Sequence, residues 1–159
     1  MAIFLNKWNI YSIMDKKDEK ILNILKENCK LSTQQISKKT LIPITTIYNR
    51  IKKLEKKGII KKYTLSLDYK KIGKPILAYI LVTVDYKILK RINKTQHDLT
   101  SIIKREEAVE EAVRLTGVVD IMVKVRVKSI DELDAFITKY IRNIEGVEKT
   151  ETMIVLGEV

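Results

Sequence analysis

The sequence has few of the residues that form disulfides, metal sites and catalytic sites. It contains one cysteine and one histidine among 159 residues. A single cysteine excludes an intramolecular disulfide and any zinc site built from several cysteines. A single histidine leaves little room for metal binding or acid–base chemistry by that residue type. Glycine-rich phosphate loops and nucleophile motifs are missing as well. We therefore expect no enzyme, no metal and no cofactor.

Long apolar runs are also absent, and acidic residues are outnumbered. No window approaches the roughly 18 consecutive apolar residues of a membrane span, so we expect a cytoplasmic protein with no membrane partner. Lys and Arg number 31 and Asp and Glu 20, which gives a net charge of +11 at pH 7. This excess indicates a polyanionic partner, with nucleic acid ahead of an anionic membrane surface.

The positive charge is concentrated in the first half of the chain. Residues 15–74 hold 17 Lys and Arg against 6 Asp and Glu, for a net charge of +11. Residues 75–159 hold 13 Lys and Arg against 14 Asp and Glu, for a net charge of −1. Such an asymmetry is typical of two modules with different tasks.

Residues 1–14 are apolar and aromatic, yet they do not resemble a secretory signal. Asn6 and Lys7 interrupt the apolar run, and no small-residue cleavage site follows. Two interpretations stay open. Either the segment is an ordered extension that packs on the body, or the biological start is Met14, directly before a helical pattern.

Three helices are predicted in the basic half. Apolar residues at helical spacing predict the first over Asp15–Asn28. A capping box at Ser32 begins a short second helix over 33–40. Pro43 suits the first turn of a third helix, which runs from about residue 44 to residue 57 and ends at a glycine.

The third predicted helix has an apolar stripe of Ile47, Ile51 and Leu54 and a polar side. The polar side carries short hydrogen-bonding groups near its start and lysines near its end, the types that read base edges and contact phosphates. A plainly solvated helix is the alternative, but the preceding short helix and tight turn favour a helix-turn-helix. The predicted DNA-binding residues are Ser32, Thr33, Gln34, Ile44, Thr45, Thr46, Tyr48, Asn49, Arg50, Lys52, Lys53, Lys56, Lys61 and Lys62.

The rest of the chain follows strand and helix periods in turn. Alternating apolar residues predict a strand over Tyr63–Asp68, as part of a hairpin or wing. The back half predicts the order strand, helix, strand, strand, helix, strand, which is the ferredoxin-like arrangement. The fold class is therefore α+β, a winged helix-turn-helix followed by a ferredoxin-like βαββαβ domain. The predicted elements of the back half span 75–85, 86–105, 109–115, 121–128, 131–143 and 148–156.

Residues 36–64 resemble the DNA-binding domain of the Lrp/AsnC (feast/famine) transcriptional regulators of prokaryotes. The most specific part is Arg50–Ile60, with the sequence RIKKLEKKGII. The chain departs from the family in the turn, where Leu41, Ile42 and Pro43 replace the usual Gly-Leu-Ser. The resemblance extends over residues 15–159.

The resemblance implies a domain organisation and a set of partners. It implies double-stranded DNA as partner, a homodimer that assembles into higher oligomers such as octamers, and an amino acid as effector. The expected segments are an N-terminal extension over 1–14, a helix-turn-helix DNA-binding domain over 15–63, a connecting strand or linker over 64–74, and an effector-binding and oligomerisation domain over 75–159.

Residues 115–120 are similar to the Gly-Asp-Tyr/Phe-Asp signature of the family. Gly117 and Asp120 match it, whereas Val118 and Val119 replace the first acid and the aromatic residue. In relatives this loop lies at the contact between dimers, near the effector site. A plain turn in which Asp120 bonds nearby backbone is the alternative. The implied effector-binding residues are Thr116, Gly117, Val118, Val119, Asp120 and Thr152.

The sequence thus predicts a sequence-specific DNA-binding transcriptional regulator, modulated by an amino acid or another small molecule. One alternative is an architectural protein that coats DNA without sequence choice. The other is a haem-precursor enzyme on the same two-domain plan, which would need more His and Arg in the back half. The only histidine, His97, stands in a polar stretch typical of a surface.

Overall fold

The computed structural model describes residues 14–157, which form two compact units. The first unit ends at Ser66 and the second begins at Leu67. The predicted N-terminal extension, apart from Met14, lies outside the described residues. No helix within residues 14–157 is long and apolar enough to cross a membrane.

Three helices build the described part of the first unit, as the sequence predicts. They are α1 (Lys16–Glu27), α2 (Thr33–Thr40) and α3 (Ile44–Lys56). The predicted capping box opens α2, because the Ser32 hydroxyl accepts the N–H of Gln35 at 3.2 Å and the Gln35 side chain accepts the N–H of Ser32 at 2.8 Å. These reciprocal bonds satisfy two backbone donors that a helix start leaves without partners.

A small apolar core holds the three helices together. Each helix and the turn before α3 contribute one isoleucine, and all four are at most 6% exposed. Burying such a side chain contributes about 1.5–3 kcal/mol. This packing fixes which side of α3 faces inward and which side faces outward. The four core residues are Ile21, Ile36, Ile42 and Ile47.

The turn between α2 and α3 replaces the glycine of the family pattern with a strained leucine. Leu41 adopts the left-handed conformation (φ 60°, ψ 22°) and is 91% exposed. Local hydrogen bonds stabilise this geometry: the Thr40 hydroxyl accepts the N–H of Ile42 at 3.2 Å, and the Ser37 hydroxyl donates to the carbonyl of Ile42 at 2.6 Å. The chain therefore keeps a tight turn without glycine.

The strand predicted for Tyr63–Asp68 is wrong. After α3, Gly58 (φ 69°) ends the helix, and residues 61–68 belong to no helix or strand. A strand is stabilised by pairing with a neighbour, and alternation of apolar residues alone does not supply one. The alternate residues Tyr63, Leu65 and Leu67 remain 49%, 67% and 46% exposed.

The second unit has the predicted order of elements around one antiparallel sheet. The strands lie in the order β2-β3-β1-β4, which confirms the ferredoxin-like topology. In β1, Ile80 pairs with Val123 of β3 on one side and with Thr152 of β4 on the other. The elements are β1 (Ile76–Val84), α4 (Tyr86–Arg91), α5 (Gln96–Ile103), β2 (Val109–Arg114), β3 (Ile121–Val127), α6 (Ile130–Ala135) and β4 (Val147–Ile154).

Two helices of the second unit are less regular than predicted. The single helix expected over 86–105 is wrong, because the chain breaks at Asn93 (φ 53°) and restarts at α5, where Thr95 provides a new capping box. The last helical segment begins as α6 and continues as a π-helical turn, Phe136–Tyr140, and a short 3-10 turn. The helical segments of this unit pack on the sheet through one contiguous core.

Candidate DNA interface and effector loop

The outer face of α3 carries polar side chains that point away from the core. Ile47 and Leu54 are at most 2% exposed and fix the inner side of the helix. Thr45, Asn49 and Lys52 are exposed on the outer side. The structure thus brings the predicted base-reading residues together on one accessible surface of a helix, with Tyr48, 55% exposed, beside them.

The amino-terminal end of α3 is open to the outside. Pro43 occupies the N-cap position, and no side chain in the described part of the chain caps the helix there. The N–H groups of Ile44, Thr45 and Thr46 therefore stand at the positive end of the helix dipole without intrahelical acceptors. Such a helix start favours a nearby phosphate.

Arg50 binds within the first unit. Its guanidinium contacts Asp15 at 2.7 Å and Asp18 at 2.7 Å, and so connects α3 to the start of α1. The N–H of Asp18 and then the Arg50 guanidinium hold the pKa of Asp15 below its usual range. Because two carboxylates already compensate this cation, its DNA contact stays a prediction with a smaller expected contribution.

Lys52 also has an acidic neighbour. Its ammonium lies 3.0 Å from Glu55, whose second oxygen accepts a hydrogen bond from the Tyr63 hydroxyl at 3.0 Å. The hydrogen bond from Lys52 is the main reason that the pKa of Glu55 is lowered, and Glu55 in turn raises the pKa of Lys52. To bind a phosphate, Lys52 exchanges one anionic partner for another.

The remaining predicted DNA contacts are spread over three places. Ser32 uses its hydroxyl in the capping box at the start of α2, where Thr33 is half-buried and Gln34 is exposed. The predicted lysines are all exposed, two on α3 and two in the irregular segment that follows it. These lysines are Lys53, Lys56, Lys61 and Lys62.

The loop between β2 and β3 is fixed by Asp120. This carboxylate is 9% exposed and accepts the N–H of Val84 at 2.8 Å and the hydroxyl of Tyr86 at 2.6 Å. The bond to Asp120, followed by burial, raises the pKa of Tyr86. The Gln96 amide donates to the carbonyl of Asp120 from α5. Both oxygens of the Asp120 carboxylate, which the sequence predicts to bind the effector, therefore already accept hydrogen bonds within the chain.

The other predicted effector residues are divided between two places. Thr116, Gly117 (φ 123°) and Val118 form the exposed tip of the loop, and Val118 is 92% exposed. Val119 is half-buried beside them. Thr152 lies on β4, two strand spacings or roughly 10 Å from β3. The structure of one chain does not bring Thr152 to the loop.

Sequence reasoning missed Tyr86 and Gln96, which support the loop. Both come from helices at other positions of the chain, and no spacing in the sequence connects them to Asp120. Within residues 14–157, no group of three or more His, Cys, Asp or Glu side chains is arranged to hold a metal ion.

A helix-turn-helix whose last helix exposes polar and cationic side chains, followed by an α+β unit, is typical of a DNA-binding regulator. Residues 14–61 match the family model of winged helix-turn-helix DNA-binding domains. Residues 77–159 match the model of the Lrp/AsnC ligand-binding domain. The chain belongs to the Lrp/AsnC family of transcriptional regulators.

Similar proteins cover nearly the whole chain. The HTH-type transcriptional regulator FL11 of Pyrococcus furiosus is 39% identical over 144 residues, which are 91% of this chain and 90% of that protein. The solved structure of AsnC from E. coli is 26% identical, with a TM-score of 0.78 over 91% and 93% of the two chains. A regulator of Neisseria meningitidis solved with L-Met has the same fold, with a TM-score of 0.83 at 24% identity over 92% of each chain.

Proposed function

We propose that this regulator recognises specific DNA sequences through α3 of two copies of the chain. The observation that carries this proposal is the outer face of α3, where Thr45, Tyr48 and Asn49 are exposed opposite the buried Ile47. Two such helices about one DNA turn apart read a palindromic site. The described part of the first unit, residues 14–66, supplies 14 Lys and Arg against 5 Asp and Glu, for a net charge of +9.

The side chains of this surface have separate tasks. The polar residues near the start of α3 contact base edges and set specificity, because Asn and Thr match the hydrogen-bonding groups of the major groove. Lys52, Lys53, Lys56, Lys61 and Lys62 contact phosphates and set affinity through counterion release. The first turn of α2, at 32–34, contacts the backbone beside the groove.

Self-association places two recognition helices on one DNA. Large apolar side chains remain exposed on both units, among them Leu65 at 67% and Leu156 at 101%. Burial of such side chains is the usual driving force for association. The functional unit is accordingly a homodimer, which assembles further into species such as octamers.

An amino acid is the effector class that fits best. A fold relative crystallised with L-Met supports this choice. We place the ligand at the tip of the loop, Thr116–Val119, with Thr152 contributed from another strand or another copy. Asp120 accepts hydrogen bonds from Val84 and Tyr86 and so fixes the shape of the loop. It contacts the ligand only if the ligand ammonium displaces the Tyr86 hydroxyl.

Selection of bound sites from random DNA, with and without a pool of amino acids, tests the function. We expect one enriched palindromic sequence, and a change in affinity or spacing when the effective amino acid is present. A footprint that grows without discrete sites would indicate an architectural protein that coats DNA. If the same sites are bound equally well with and without amino acids, the proposal of an amino-acid effector is wrong, whereas the proposal of sequence-specific DNA binding is unaffected.

The protein acts on genes rather than on a haem precursor. Its relatives are transcriptional regulators. His97, the histidine that an enzyme on this plan would use, is exposed on α5, where its carbonyl accepts a hydrogen bond from Ser101. Purification of a colourless protein that gains no absorbance band when haem precursors are added is the expected result.

A further inference from the structure

Two large apolar side chains are exposed at the start of α3, beside its hydrogen-bonding groups. Ile44 is 43% exposed and Tyr48 is 55% exposed. They are four positions apart and therefore neighbours on the helix surface. Thr45 and Asn49 run alongside them. We refer to Ile44 and Tyr48 as the apolar pair; neither belongs to the buried core around Ile47.

The surroundings of the apolar pair are cationic. Lys52, Lys53 and Lys56 follow on the same helix and outnumber Glu55, the ion-pair partner of Lys52. The N-terminus of α3 adds the positive end of its dipole. A patch with this rim attracts a polyanion. Duplex DNA exposes one apolar group among the base edges of its major groove, the C5-methyl group of thymine. The positive charge around the pair favours DNA, and the apolar side chains favour the thymine methyl group within DNA. We therefore take this methyl group as the contact of the apolar pair.

We propose that the apolar pair contacts thymine methyl groups and makes thymine at fixed positions a requirement of the binding site. The inference deepens the proposed function and rests on it, because it assumes that α3 enters the major groove. Thr45 and Asn49 recognise hydrogen-bonding groups of neighbouring bases, and Asn49 suits adenine. The apolar pair distinguishes thymine from bases that lack a methyl group at this edge.

Replacement of single thymines by deoxyuridine tests the proposal with the full chain. Deoxyuridine keeps the hydrogen-bonding edge of thymine and removes only the methyl group. In the selected site, we expect about fourfold weaker binding at one or two positions in each half-site, the loss that one buried methyl group predicts. Other thymines of the site are expected to tolerate the replacement.

Variants of the apolar pair link the effect to these side chains. Ile44→Ser and Tyr48→Ser are each expected to weaken binding to the thymine site and to abolish the difference between thymine and deoxyuridine at one position. Ile72→Ser is the matched control, because Ile72 is 54% exposed in the second unit and carries the same substitution as Ile44. This control retains both the affinity and the difference. Melting curves verify that the variants fold.

Three results would overturn the inference. The first is equal affinity for thymine and deoxyuridine at every position of a discrete site. The second is a difference that persists in both variants of the apolar pair. The third is a shift of Ile44→Ser to a smaller assembly with the thymine preference unchanged, which would show that a second copy of the chain covers the patch.

Failure of the proposed function has a separate signature. If selection yields no discrete site, the function as a sequence-specific regulator is wrong. The apolar pair is then tested on an alternating dA-dT duplex and the same duplex built with deoxyuridine. Tighter binding of the methylated duplex that depends on Ile44 supports the thymine contact, whereas equal binding overturns it.

Discussion

The first unit surrounds a core of four buried isoleucines, whereas the second packs fifteen buried side chains against a four-stranded sheet. Their charges differ as well, since residues 15–66 carry a net +9 and residues 67–159 a net +1. The first unit is also the shorter one, with 53 described residues against 91, so a smaller core is expected of it. Outside this small core, Thr45, Asn49 and Lys52 of α3 remain exposed.

Within residues 14–157, each unit also contains one buried acid, and the two acids have different kinds of partner. Asp18, 5% exposed, pairs with the cationic Arg50, while Asp120, 9% exposed, accepts bonds from a backbone N–H and a tyrosine hydroxyl. The first arrangement depends on charge and hence on salt. The second depends on hydrogen-bond geometry and fixes the loop of the ligand-binding unit.

Ile47→Ala is expected to have the largest effect and tests whether the two cores are separate. It removes a fully buried side chain and should cost about 3 kcal/mol in the first unit. Amide hydrogen exchange, resolved to individual peptides, should show lost protection over 16–56 and retained protection over 76–154. Ile80→Ala is the reciprocal control. Equal loss in both units would show one cooperative structure and break the comparison.

Arg50→Ala should cost about 2 kcal/mol, because the buried Asp18 loses its cation. The depressed pKa of Asp15 means that its contribution is complete above the unfolded value, around pH 4, and is lost as the pH falls through the folded value. Stability measured against pH should therefore fall less in acid for the variant. Arg50→Lys, which keeps the charge, is the control. Unchanged melting with weaker DNA binding would instead make Arg50 a DNA contact.

Asp120→Asn tests the hydrogen-bonded acid of the second unit. Loss of the charged acceptor should cost about 1–2 kcal/mol. The pKa of Tyr86 should fall towards its ordinary value, because the bond to the carboxylate is the main cause of its increase. Titration of the Tyr86 ring by NMR measures this shift. A Tyr86 titration that is identical in both proteins would contradict the assigned role of Asp120.

Leu41→Gly should have the smallest effect on stability, and we expect it to stabilise the protein. Leu41 is 91% exposed, so little packing is lost, and glycine adopts its left-handed conformation without strain. The expected gain in the free energy of unfolding is about 0.5–1 kcal/mol. Leu41→Ala keeps the strain and should give no gain. A loss on Leu41→Gly would show that the exposed leucine stabilises the turn.

Local signals in the sequence predicted much of the fold. The capping box at Ser32 and the alternation in 121–127 depend on neighbours in the chain, and both are confirmed. The alternation in 63–68 was misleading, because a strand also depends on a partner that the local pattern does not reveal. The break at Asn93 was detectable, since Thr95 and Asp98 have the spacing of a capping box.

The candidate site was predictable where a helix determines it. The period of α3 separates its buried side from its exposed side, and the polar residues follow from that division. The partners of Arg50 and Asp120 could not be inferred, because these contacts join residues 24 to 36 positions apart. Such contacts arise from the packing of helices and strands in three dimensions, and the spacing of residues along the sequence does not reveal that packing.

The central claim, that the first unit reads DNA with α3, is tested most directly by comparing Asn49→Ala with Lys52→Ala. Binding to the selected site and to random DNA is measured over a range of salt concentrations. We expect Asn49→Ala to lose about 1–3 kcal/mol on the selected site alone. Lys52→Ala should weaken both DNAs alike and reduce the salt slope by about 1. Equal losses on both DNAs for both variants would contradict the claim.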